Sequence, residues 1–130
     1  MSKDNYMEVI SIDGRKKRSK DTSELIIDTA FSLLNEGILN ITHELIAKEA
    51  KIGTRTIFRH FKDKNSLIIG MHNKLLNDFE SHKPRIDLDI DVSSRLKLLI
   101  EFTCNTYEKY QYVYHWTVKN LWYSKDVRMN

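Results

Sequence analysis

A chain of 130 residues with 41% hydrophobic content can build one helical core, but is too short for two full domains. Four Gly and one Pro leave few breaks, which favours long helices over a strand-and-turn protein and predicts an all-α fold. The net charge of +3 and pI near 8.9 are too mild to argue for nucleic acid alone, so the placement of the charge decides.

In chain order, residues 1–20 read as a flexible basic extension. Tyr6, Met7, Val9, Ile10 and Ile12 are apolar but too few for a core. The run Gly14-Arg15-Lys16-Lys17-Arg18-Ser19-Lys20 has no apolar periodicity, and charges this dense repel one another. It is either a solvated tail or an arm that tracks phosphates or enters the minor groove. A first helix is predicted to start near Asp21-Thr22-Ser23, where a side-chain oxygen can cap it. Leu25, Ile26, Thr29, Ala30, Leu33 and Leu34 give it a helical stripe, and Gly37 stops it. Thr42 caps a second helix with Leu45, Ile46 and Ala50 on its apolar side, and Ile57 and Phe61 anchor a third. Asp63 caps a fourth, running through Leu67, Ile68, Met71, Leu75, Leu76 and Phe79 before Pro84. Asp87, Asp89 and Asp91 lie in an acidic linker that lacks the Gly and Glu of a calcium loop and ends in a Ser93 or Ser94 cap. A fifth helix follows from Arg95 to about Tyr107, and an aromatic-rich sixth from Tyr112 to Tyr123.

The segment from Ile46 to Phe61 carries the chemistry. Small Ala47 and Ala50 allow close helix approach, Ile52 plugs a turn, and Ile57 and Phe61 face inward. That leaves Thr54, Arg55, Thr56, Arg59 and His60 facing outward on the third helix. A helix pair of this size puts its second helix in the major groove of double-stranded DNA. Arg55 suits a bidentate guanine contact, worth about 1–3 kcal/mol of base discrimination. Lys48, Lys51, Lys62 and Lys64 surround the site with charge suited to the phosphate backbone, although any one of them alone reads as an ordinary solvated lysine.

Residues from about Leu25 to Leu76 resemble the N-terminal domain of the TetR family of bacterial transcriptional regulators. The matching residues are Ile46-Ala47, Ala50-Lys51-Ile52 and Thr56-Ile57-Phe58-Arg59-His60-Phe61, followed by Lys64 and Leu67. The resemblance implies phosphate contacts from Thr42, His60 and Lys64, and major-groove contacts from Thr54, Arg55, Thr56 and Phe58. It also implies repression at a two-fold operator by a homodimer, relieved by a small-molecule effector. Three departures stand out: Phe58 lacks a tyrosine hydroxyl, Lys51 occupies a turn position usual for Gly, and Gly53 stands where Ser often caps. A left-handed Lys51 costs roughly 1 kcal/mol, and a glycine cap loses only some tenths of a kcal/mol.

The expected organisation is therefore a helix-turn-helix DNA-binding domain over residues 21–66 and a partial helical effector and dimerisation domain over residues 67–130. The second is shorter than the resemblance leads one to expect. The alternative is a truncated interaction protein that forms mixed dimers with a full-length relative and binds no DNA itself. Phe102, Tyr107, Tyr110 and Trp116 are candidates to line an effector pocket within the cluster that also holds Tyr112, Tyr114, His115, Trp122 and Tyr123. Plain core packing is the competing reading for them, and exposure of part of the cluster would favour self-association. Cys104, the lone cysteine, reads as a small buried residue. The five histidines show no paired spacing and there is no glycine-rich phosphate loop, so neither enzyme activity nor a metal or other cofactor is expected. With no membrane-length apolar run and no signal-peptide pattern, no membrane partner is expected and the location expected is cytoplasmic.

Overall fold

The computed structural model describes the backbone of residues 3–123 and the side chains of residues 14–121. Five helices follow in order: α1 (Lys3–Asn35), α2 (His43–Ala50), α3 (Thr54–His60), α4 (Lys64–His82) and α5 (Val92–Tyr123). The described residues hold no strand, in keeping with the all-α reading. None of these helices is long and apolar enough to cross a membrane.

Three sequence expectations about helix boundaries are corrected. First, the basic run is helical, and α1 continues through Asp21-Thr22-Ser23 without a break. Arg and Lys are good helix formers, and Asp21 and Glu24, four residues after Lys17 and Lys20, offset the repulsion. The Thr22 hydroxyl does not cap but donates back to the Arg18 carbonyl at 2.9 Å. Second, the fifth and sixth helices are one: α5 runs 32 residues, because Glu108 to Gln111 contain neither Gly nor Pro to end it. Third, α5 starts at Val92, and Asp91 rather than a serine caps it, accepting from the Ser94 hydroxyl at 2.6 Å and the Ser94 amide at 3.1 Å.

Other boundaries fall where local chemistry puts them. Gly37 ends α1 at φ 87° with its amide on the Leu34 carbonyl, while the Ile38 amide reaches the Leu33 carbonyl at 3.0 Å. Asp63 and Ser66 cap α4 reciprocally: the Asp63 carboxylate accepts from the Ser66 amide at 2.8 Å and the Asp63 amide donates to the Ser66 hydroxyl at 3.1 Å.

The core lies where the second half of α1 meets α2, α3, the start of α4 and the end of α5. Ile26, Leu34, Ile46, Ile57, Leu67, Met71 and Val113 are fully buried there, each contributing about 1.5–3 kcal/mol. Ile27 and Phe31, absent from the predicted stripe, are also buried, whereas Leu25 and Leu76 are exposed. Cys104 is exposed too, against expectation, as are Thr103 and Asn105 beside it on α5.

Candidate nucleic-acid interface

The turn between α2 and α3 sets the site. Lys51 takes the left-handed conformation at φ 56°, ψ 43°, the one non-glycine residue among those described with positive φ. Its amide donates to the Lys48 carbonyl at 3.3 Å and the Ile52 amide to the Ala47 carbonyl at 3.1 Å, closing the end of α2. This tucks Ile52 against the core and redirects the chain. Gly53 opens α3 without a side-chain cap; its carbonyl accepts from the Thr56 amide at 3.0 Å. Thr42 caps α2 as expected, its Oγ1 accepting from the Leu45 amide at 3.1 Å. The threonine O–H proton is left for an outside acceptor.

On α3, Thr54 and Phe58 form one exposed line and Arg55 and Arg59 the next, each pair separated by four residues. Ile57 lies opposite, fully buried, with Phe61 beside it. Lys48 on α2 and Lys64 at the start of α4 are exposed as well. Two of the expected contact residues are less free: Thr56 is half-buried, and so is His60, whose Nδ1 hydrogen-bonds the Ser23 hydroxyl of α1 at 3.0 Å. Among the described residues the salt bridges use Lys74 and Lys83, so none neutralises Lys48, Arg55, Arg59 or Lys64.

Phe58 is held by a partner that sequence reasoning missed. Its ring stacks on buried His43, with centroids 4.5 Å apart and planes 9° from parallel. The His43 Nε2–H donates to the Phe61 carbonyl at 2.9 Å, so one imidazole ties the start of α2 to the end of α3 and supports the aromatic between them. Gly70 of α4 was also missed. A Cβ there would stand 2.7 Å from Cε1 of Phe61, so only glycine lets α4 pass this close to the end of α3. Neither pairing has a local sequence signal, because both join residues from different helices.

The four aromatics proposed for an effector pocket separate. Tyr107 and Tyr110 line an apolar groove of about 370 Å³ between α4 and α5, facing Leu75, Leu76 and Phe79. Phe102 packs on Phe79 nearby, with ring centroids 5.1 Å apart. Trp116 does not join them; it is buried on another side of α5, where its indole N–H donates to the Leu39 carbonyl at 3.0 Å. Its ring also lies 6.0 Å from the Lys64 ammonium. The side chains of Trp122 and Tyr123, like those of Tyr6 to Ile12, lie outside the described residues.

Residues 26–71 match the family model described as bacterial regulatory proteins, tetR family. This stretch, the helix-turn-helix and its flanks, is similar to that family's domain. The match starts and ends on fully buried residues, Ile26 in α1 and Met71 in α4, so it spans the packed unit that presents α3. The chain is also similar to HTH-type transcriptional regulators of Staphylococcus aureus strains USA300, NCTC 8325 / PS 47 and COL. Each is 37% identical over 75 residues, which is 57% of this chain and 40% of the relative. The matched stretch thus spans well under half the length of those relatives. No solved structure matches the chain.

Proposed function

We propose that the chain binds double-stranded DNA as a cytoplasmic transcriptional regulator, inserting the start of α3 into the major groove. One observation carries the reading: Thr54, Arg55, Phe58 and Arg59 share an exposed face that takes part in none of the salt bridges among the described residues, while the opposite face of α3 is anchored in the core at Ile57. Arg55 provides the base contact, with Thr54 and Phe58 alongside. Thr42, Lys48 and Lys64 position the helix on phosphates. Thr56 and His60, half-buried, contribute at the edge of this surface.

The chain acts as a homodimer on a two-fold operator, with the two α3 helices in successive major grooves about 34–36 Å apart or a multiple of that. Binding represses by occupying a promoter. The apolar groove beside Tyr107 and Tyr110 is the place for a flat apolar effector that relieves repression.

Fluorescence anisotropy on duplexes from beside its own gene, at several salt concentrations, tests the reading. Arg55→Ala loses the preference for specific over random sequence, by about 1–3 kcal/mol. Lys64→Ala weakens all sequences alike and makes the salt slope shallower by about one. Absence of any sequence-specific complex at low salt would contradict the reading and leave mixed-dimer formation as the role.

A further inference from the structure

The basic run before the matched domain has a defined place. Arg15, Arg18, Ser19 and Thr22 recur at intervals of three and four residues, so they share one face of α1. Further along the helix that face becomes the core stripe at Ile26 and Ala30, which fixes which way it looks. There the four side chains meet Arg59 and His60 of α3 and together line one open cleft. The bond between Ser23 Oγ and His60 Nδ1, at 3.0 Å, pins α1 to the last turn of α3.

The lining is made of three guanidinium groups, one imidazole and two hydroxyls, with no carboxylate. Among the described residues none of these arginines shares a salt bridge. Arg18 uses only its Nε, donating to the Gly14 carbonyl at 3.2 Å, which leaves its terminal nitrogens to the cleft. When Ser23 donates to Nδ1 of His60, Nε2 carries the ring proton and is a further donor. The Thr22 hydroxyl gives its proton to the Arg18 carbonyl, but the guanidinium groups, Ser19 and His60 still offer donors with uncompensated positive charge, which suits a phosphate.

We infer that this cleft holds a phosphate of the DNA backbone flanking the groove that α3 enters, making the stretch of α1 over residues 15–22 a second DNA-contact element. The inference rests on the DNA-binding reading above. Arg59 lies four residues beyond Arg55 on the same face of α3, about 6 Å along the axis. A major groove is about 12 Å wide, so that step leads from a base contact to the phosphate wall. Because the basic run is helical and tied to α3, its charges are already placed when α3 docks.

The test is the double variant Arg15→Ala/Arg18→Ala in the full chain, titrated by anisotropy over a potassium chloride series on the specific and a random duplex. Both arginines are exposed, and circular dichroism with a thermal melt checks that the fold is kept. The expected result is weaker binding of both duplexes, a salt slope shallower by about one to two, and an unchanged ratio of specific to random affinity. Lys97→Ala on α5 leaves the slope as in the wild type. A wild-type slope in the double variant, with Arg55→Ala still losing sequence preference, overturns the cleft and leaves the DNA reading standing. A wild type with no specific complex overturns both. Inorganic phosphate is titrated against the His60 ring signals without DNA to identify the other source of the same chemistry. Tight saturation by free phosphate together with an unchanged salt slope makes a small phosphorylated molecule the occupant and counts against the inference.

Discussion

At the scale of single residues, the presentation of α3 depends on a few side chains that touch no ligand. Lys51 accepts a left-handed backbone so that α2 can stop and α3 can start three residues later. His43 supports Phe58 from beneath, and Phe61 fills the space that Gly70 leaves open. Gly70→Ala is therefore expected to destabilise the protein, although alanine is the better helix former. The propensity gain is about 1 kcal/mol, whereas forcing Phe61 and Ile27 aside costs about 1–3 kcal/mol. A urea titration should show the midpoint falling, with DNA affinity falling as Phe61 pushes on the end of α3. A midpoint at or above the wild type would show that Phe61 yields freely.

At the scale of elements, α4 and α5 share one starting device, a carboxylate that caps the first turn. The Asp63 carboxyl is held below its ordinary value chiefly by the hydrogen bond from the Ser66 amide, then by the Ser66 hydroxyl. For Asp91 the Ser94 hydroxyl comes first and its amide second. Both values are lowered by folding, so their contribution is fully present above the unfolded carboxylate value of roughly 4 and is lost as the pH falls through the lower folded values. Between roughly pH 5 and pH 2, the wild type should lose more stability than Asp63→Asn/Asp91→Asn, whose caps do not titrate. Equal acid sensitivity in urea midpoints taken across that range would refute this.

The Asp63 cap was legible in the sequence because it acts over three residues, as were Thr42, Gly37 and the strained Lys51; Asp91 was not, because Ser93 and Ser94 beside it read equally well as caps. The continuity of α1 and α5 was not. Dense like charge in one and the stretch after Tyr107 in the other looked like breaks, but the second holds neither Gly nor Pro and α1 runs on through Gly14. Contacts between helices were equally silent: Ser23 with His60, His43 with Phe58, and Trp116 with Leu39 pair residues 37, 15 and 77 positions apart. The face of α3 could be read because its periodicity is local; what supports it could not.

At the scale of the whole molecule, two ends of the chain differ in character. The α1–α4 end is tightly packed, and ties such as Lys74 to Asp28 and Asp78, with the Tyr110 hydroxyl on Asp78 at 2.8 Å, carry that order to α5. The first turns of α5 are the opposite. Val92, Leu96 and Ile100 form an exposed apolar line at four-residue spacing, and Leu88 before them is 80% exposed. Surface of this kind is expected to drive self-association, consistent with a dimer. Sedimentation velocity should show weight-average mass rising with concentration, and Leu96→Lys/Ile100→Lys should shift the protein towards monomer. A clean monomer of the wild type at high concentration would oppose it.

On the proposed function, α3 reads base edges in the major groove through Arg55. Methylation interference at guanine N7, an atom that faces that groove, tests it most directly. Discrete interfering guanines are expected in two half-sites about 10–10.5 base pairs apart or a multiple of that, with one position per half-site losing its effect in Arg55→Ala. Interference that is absent, or identical in wild type and Arg55→Ala, would contradict it.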